Sequence, residues 1–228
     1  MIFLSFMGLA YMHYVLGCVA WYTMFKPKKK LVITVDGNIG SGKSTLLKLL
    51  EEYSDYKVLL EPTEYWKEIG AMDKYYYDQK RHAFEFQSFV LTTHDSYIQD
   101  ALADVDVVIT ERCPETHKAV FFQALSDKNY FDIVQKKMYE KLFSCSTTRA
   151  DAMIYIDSDV DLSHARLMAR GRPEEMHIKK TYLQGVHDRH SEWVEAWERP
   201  VITVSGNDFK TNSAKVLGEI KEFIEFLR

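Results

Sequence analysis

The sequence has few cysteines, little excess charge and no linker, and each shortage removes a class of function. Three cysteines among 228 residues, Cys18, Cys113 and Cys145, form no C-x-x-C pair. An odd, scattered set disfavours both a disulfide framework and a structural zinc site, and fits a reducing compartment. A formal net charge of −4 argues against a general nucleic-acid binder, because contacts to a phosphate backbone need a basic surface. A small anionic ligand needs only a local basic pocket. No repeat or low-complexity tract interrupts the chain. Residues 1–25 contain no Asp, Glu, Lys or Arg and run into KPKKK. That stretch is long enough to span a bilayer as a helix, with the basic flank holding the rest in the cytosol. It lacks the basic start of a secretory signal and the arginines of a mitochondrial presequence. Two readings stay open: a membrane anchor, or an over-extended start with translation beginning at Met24. Residues 26–228 read as one domain, and a hydrophobic share of 46% supplies its core.

What is present is an alternation of strands and helices. Short Val- and Ile-rich runs at 31–36, 57–60, 105–110, 152–157 and 201–206 read as buried parallel strands. Helical periodicity falls at Lys43 to Tyr53, Gln79 to Leu102, Phe131 to Phe143, Asp161 to Ala169, Lys179 to Trp197 and Ser213 to Leu227. The pattern predicts an α/β fold, a five-stranded parallel sheet flanked by helices, with ligands at the carboxyl ends of the strands.

Each strand end carries chemistry. After the first, Gly37-Asn38-Ile39-Gly40-Ser41-Gly42-Lys43-Ser44, followed by Thr45, satisfies G-x-x-x-x-G-K-[ST]. The glycines let backbone N–H groups turn inward around phosphate oxygens, and the helix beginning near Lys43 adds its positive end. Lys43 is placed to reach the β and γ phosphates of ATP, and Ser44 to ligate Mg2+. No N-K-x-D follows, so a guanine-reading GTPase is excluded. Glu61, at the end of the second strand run, is a carboxylate that can take a proton from an attacking hydroxyl. The third strand ends in Glu111-Arg112, a magnesium-side carboxylate and a guanidinium that can steer substrate and Glu61. Arg166, Arg170 and Arg172 crowd a short span after the fourth strand. Such crowding favours an arriving anion and suggests a lid closing on a migrating phosphoryl group.

With these residues in hand, the chain resembles the deoxyribonucleoside kinase family from about Lys30 to Leu227. The shared motifs are DGNIGSGKST, Glu61-Pro62 with Trp66, F-x-F-Q at Phe84 to Gln87, Glu111-Arg112, and R-x-x-x-R-G-R-x-E-E from Arg166 to Glu175. The resemblance implies an ATP- and Mg2+-dependent P-loop kinase with an arginine-rich lid, acting on a small-molecule deoxynucleoside and working as a homodimer. By the same resemblance, Glu61 is the general base and Arg112 orients it, while Ser44 and Glu111 hold the metal. Gln87 reads the nucleobase edge, with Phe121, Trp66 and Phe86 around the ring. Tyr76 and Glu175 hold the sugar 3′-hydroxyl, and Arg170 and Arg172 are the lid cations, with Arg166 behind them. Where deoxycytidine-preferring members carry an arginine and an aspartate, this chain has His94 and His117. Losing that pair is expected to relax cytosine selectivity and admit thymidine. The other histidines, 82, 164, 177, 187 and 190, read as surface or packing residues. Two rival functions are a non-catalytic subunit of a larger assembly and a nucleoside monophosphate kinase. The second conflicts with a carboxylate, Glu61, beside an acceptor that would carry a phosphate.

Overall fold

The computed structural model describes residues 30–53, 56–176, 178–207 and 209–228. Residues 1–25, with the membrane reading attached to them, lie outside the described residues, as does Met24. Among the described residues no helix is long and apolar enough to cross a membrane.

Five strands form one parallel sheet: β1 (Leu31–Gly37), β2 (Lys57–Leu59), β3 (Val107–Glu111), β4 (Ala152–Asp157) and β5 (Val201–Ser205), in the spatial order β2-β3-β1-β4-β5. The central β1 is buried along its whole length, which is why its sequence reads as one apolar run rather than an alternation. Its alternation is nevertheless physical. Leu31, Ile33 and Val35 pack on one face with Leu46, Leu47 and Leu50 of α1 (Lys43–Tyr53) and with Leu217, Ile220 and Ile224 of the C-terminal helix Phe209–Leu227. Val32 packs on the other face with Ile98, Val108 and Trp193. Thr34 and Asp36 fall on this second face by the two-residue period of a strand, and Thr34 pairs in register with Thr110 of β3. A polar layer is thus set into an otherwise apolar sheet face.

The remaining helices, in chain order, are α2 (Thr63–Glu68), α3 (Ala71–Tyr77), α4 (Gln79–Asp104), α5 over residues 114–127, α6 (Ile133–Cys145), α7 (Val160–Arg170) and α8 (Lys180–Glu195), with the C-terminal helix as α9. The periodicity found the long ones and missed α2, α3 and α5. The first two are a turn or two each, separated by Gly70 in the left-handed region at φ 72°, too short to show a period. α5 opens on Pro114 at its first position and carries a π-helical stretch, His117–Phe122, in its middle. The wider π turn breaks the 3.6-residue repeat by which a helix is read. β2 is also shorter than expected, ending at Leu59 rather than at residue 60, so Glu61 stands two residues past the strand rather than directly after it.

Ile220 is fully buried between α9 and the sheet. Ile220→Ala is expected to cost roughly 2–5 kcal/mol of unfolding free energy through the cavity it leaves, read by urea denaturation.

Candidate active site

The carboxyl ends of β1, β2 and β3 open into one cleft of about 730 Å³, lined by Lys43, Glu61, Trp66, Tyr76, Gln87, Glu111, Arg112, Phe121, the three lid arginines and Glu175 among others. Residues far apart in the chain therefore share one cavity.

The phosphate loop is built from the strand outward. Gly40 sits at φ 82°, and a Cβ there would lie 2.3 Å from the carbonyl oxygen of Ser163. Close packing of the loop on α7 therefore demands glycine, on top of the left-handed backbone. Asn38 is buried and its amide donates to the Leu183 carbonyl at 3.1 Å, tying the loop to α8. Lys43 Nζ donates to its own loop, to Gly37 O at 3.2 Å and Asn38 O at 2.9 Å, with Glu111 4.0 Å away. Burial pulls the Lys43 amine down to about 8, Arg112 adds to the pull, and Glu111 and Glu61 oppose it. Ser44 Oγ lies 3.3 and 3.4 Å from the two Glu111 oxygens. This oxygen-only set beside the loop matches what a hard divalent cation takes.

Arg112 is the organising side chain. It follows β3 in the left-handed region at φ 64°, a conformation that costs a non-glycine residue about 1–3 kcal/mol and persists only where its surroundings hold it. Its amide donates to Val35 O at 3.1 Å. Its guanidinium binds Glu61 directly and stands 4.7 Å from the centroid of the Phe121 ring. Burial pushes the Glu61 carboxyl up to about 7, with Arg112 and Lys43 pulling against it.

Around the apolar end, Trp66 is buried edge-on to Phe86, with centroids 6.1 Å apart, and its indole donates to Thr93 at 3.0 Å. Phe86 in turn stacks on Tyr75 at 4.5 Å. Gln87 is buried, and its Oε1 has no partner among the described residues. Of the three consecutive tyrosines, Tyr75 is buried against Phe86 and Tyr76 is half-buried, both lining the cleft, while Tyr77 is 92% exposed and does not.

The lid differs from expectation in one respect. The crowded guanidiniums do not wait for an outside anion, because each has an acceptor within the chain. Arg166 donates to the carbonyls of Ser41 at 3.2 Å and Gly206 at 2.9 Å. Arg170 holds Glu175 through Nε at 3.1 Å and Arg172 holds it at 3.4 Å. Glu175 thus neutralises the pair locally, while still lining the cleft.

Of the polar layer beneath, sequence reasoning singled out His94 and His117 and missed the rest. Asp36 is fully buried; one oxygen accepts from Thr34 and Thr116, and the other lies 3.8 Å from His190 Nε2. His94 and His117 bond to one another, with Nδ1 to Nε2 at 2.7 Å. The only signal for Asp36 was a carboxylate inside an apolar strand run. Nothing local marked Thr116 or His190 as its partners.

A parallel sheet in this strand order, with the glycine loop at the end of its central strand, is the phosphate-loop kinase fold. The family model described as deoxynucleoside kinase matches residues 33–225, and the chain belongs to that family. A fowlpox virus protein named a probable deoxycytidine kinase is 32% identical over 209 residues, covering 86% of this chain and 88% of that protein. Human mitochondrial thymidine kinase 2 is 27% identical over 175 residues, covering 73% of this chain and 65% of its own length. Among solved structures, a deoxyadenosine kinase from M. mycoides with dCMP and dCDP superposes with a TM-score of 0.74 at 23% identity, covering 84% of this chain and all of that one. That likeness carries the fold. The chain is a kinase that phosphorylates nucleosides.

Gly40→Ala is expected to cost roughly 2–4 kcal/mol, combining strained backbone with overpacking against α7. At Gly42 an added Cβ would meet nothing closer than Arg166 at 4.0 Å, so Gly42→Ala should cost only the backbone part. Paired thermal melts check the difference.

Proposed function

We propose that the chain transfers the γ-phosphoryl group of ATP, with Mg2+, to the 5′-hydroxyl of deoxyribonucleosides, thymidine and deoxycytidine first, in nucleotide salvage. The observation that carries this reading is the single cleft containing Glu61, Arg112, Lys43 and the Ser44–Glu111 oxygen set.

Glu61 accepts the proton of the attacking 5′-hydroxyl. Arg112 holds the carboxylate in place and stabilises charge as the alkoxide develops. The loop glycines 37, 40 and 42 present backbone N–H groups to the phosphates, and Lys43 turns from its own carbonyls to the terminal oxygens. Ser44 and Glu111 fit a magnesium ion, which when bound supplies positive charge to the phosphate oxygens. Arg170 and Arg172 exchange Glu175 for the transferred group, and Arg166 keeps the lid helix on the loop. Glu175, once released, and Tyr76 hold the sugar 3′-hydroxyl. Gln87 reads the base, and Phe121, Trp66 and Phe86 close around the ring. A carboxylate at the acceptor position suits a neutral hydroxyl better than a phosphate, which favours this reading over a monophosphate kinase.

The proposal also includes a homodimer. Ile133, Val134 and Met138 of α6 are all half-exposed or more, and Tyr97 of the neighbouring α4 is exposed too, apolar surface outside the sheet that a second copy can cover. The proposal takes residues 26–228 as the catalytic domain, in the cytosol, and leaves residues 1–25 as the one segment to reach a membrane.

Glu61→Gln is expected to lower kcat for both nucleosides by about 10²–10⁴, with KM changed far less; activity near the parent rate would show that another group takes the proton. A carboxylate base works only when ionised, and burial raises its pKa to about 7. The kcat/KM for thymidine should therefore rise with pH through about 7, peak between the two values, and fall as Lys43 loses its proton near 8. Steady-state rates across that range read both limbs.

A further inference from the structure

Two histidines beneath the cleft are left without a part in phosphoryl transfer. His94 of α4 and His117 of α5 are buried, and His94 Nδ1 lies 2.7 Å from His117 Nε2. The far nitrogen, His94 Nε2, lies 3.1 Å from Thr110 Oγ1 on β3. His117 lines the cleft beside Gln87 and Phe121, and its Nδ1 has no partner among the described residues. Burial, reinforced by Arg112, pulls His94 down to about 4, and burial pulls His117 well below the usual imidazole range. Both rings are therefore neutral at pH 7. Glu61, His94 and His117 also bring ligand atoms within 4.8 Å of one another, but Arg112 already occupies the carboxylate and its positive charge acts on both rings, which opposes a cation there.

Two neutral imidazoles carry two ring protons on four nitrogens, and a threonine hydroxyl both donates and accepts. Two arrangements satisfy every inner contact. In one, His117 Nε2–H donates to His94 Nδ1, His94 Nε2–H donates to Thr110, and His117 Nδ1 is a bare acceptor. In the other, His94 Nδ1–H donates to His117 Nε2, Thr110 donates to His94 Nε2, and His117 Nδ1 carries a proton. Each holds two ring protons and one hydroxyl proton. In passing from the first to the second, water protonates His117 Nδ1, the His117 Nε2 proton shifts to His94 Nδ1, and the His94 Nε2 proton passes to Thr110 Oγ1. The hydroxyl's former proton leaves to water during local opening of this buried layer.

We propose that Thr110, His94 and His117 form a reversible proton wire that lets one pocket read both a pyrimidine with a carbonyl at position 4 and one with an amino group there. The inference rests on the pyrimidine reading above. The donor form of His117 Nδ1 suits the O4 of thymine, and the acceptor form suits the N4 amino group of cytosine. Gln87, whose Oε1 has no partner among the described residues, adapts at the neighbouring ring nitrogen by turning its amide. A fixed arginine and carboxylate pair has no such freedom. Thr110 does not line the cleft, so it acts as a positioning residue through His94.

The test is Thr110→Val in the full chain, assayed with ATP, Mg2+ and each pyrimidine nucleoside. With the hydroxyl gone, a bare His94 Nε2 is tolerated better than an unpartnered N–H, which biases His117 Nδ1 towards the donor form. The kcat/KM ratio of thymidine to deoxycytidine should rise about fivefold; a merely structural loss would move both nucleosides together. A second readout needs no variant. Histidine 15N spectra of the parent protein should place the His117 proton on Nδ1 with thymidine and on Nε2 with deoxycytidine. An unchanged or reversed ratio, or the same tautomer with both nucleosides, overturns the wire. If the parent protein turns over both pyrimidines while ratio and tautomers stay put, the wire alone falls; if it turns over one or neither, the pyrimidine reading falls with it.

Discussion

The cleft depends on one buried side chain. Arg112 is held in a left-handed backbone conformation at the end of β3, and from there it meets Glu61, stands against Phe121 and sets the electrostatic field felt by Lys43, His94 and His117. A buried guanidinium is stable only beside an anion, and a buried carboxylate only beside a cation. Each therefore fixes the other, and the pair joins the end of β2 to the end of β3. The strained backbone of Arg112 is the cost of aiming its side chain back over the sheet edge.

That pairing divides the site by charge. On the α1 side of the sheet, Lys43, Ser44 and Glu111 form a hydrophilic wall suited to phosphate and metal. On the α4 side, the Thr34, Asp36, Thr110, His94 and His117 layer lies under an aromatic chamber of Trp66, Phe86 and Phe121. The two-residue alternation of β3 sends Thr110 to one side and Glu111 to the other. Adjacent residues thus serve opposite halves of the proposed reaction, one the donor phosphates and one the base. The lid adds a third part, in which Glu175 neutralises Arg170 and Arg172 until another anion takes its place.

Much of this was legible in the sequence, and the reason is locality. The glycine loop is contiguous, the inner strand runs β1, β3 and β4 are buried on both faces and read as apolar blocks, and Glu61, Glu111 and Arg112 stand at or just past strand ends that must converge in a parallel sheet. What could not be read depends on contacts between distant segments. That Tyr75 and Tyr76 face the cleft and Tyr77 the solvent is decided by the turn at Gly70 and by packing on Phe86. The π stretch that sets His117 against His94 leaves no periodic trace. Asp36, Thr116 and His190 meet only after β1, α5 and α8 have assembled. The lid arginines were recognised as a cluster, but their internal partner Glu175 was assigned to the sugar alone, because a motif shows proximity in sequence and not which charges close on each other.

The central claim is that the cleft delivers phosphate to a neutral 5′-hydroxyl. The most direct measurement supplies the protein with Mg2+ and ATP labelled in the γ-phosphoryl group, together with thymidine or deoxycytidine in one series and their 5′-monophosphates in another, and resolves the labelled products. The account predicts label in the 5′-monophosphates formed from the nucleosides and little in diphosphates. Label appearing only in diphosphates, or in no nucleotide product at all, would contradict it.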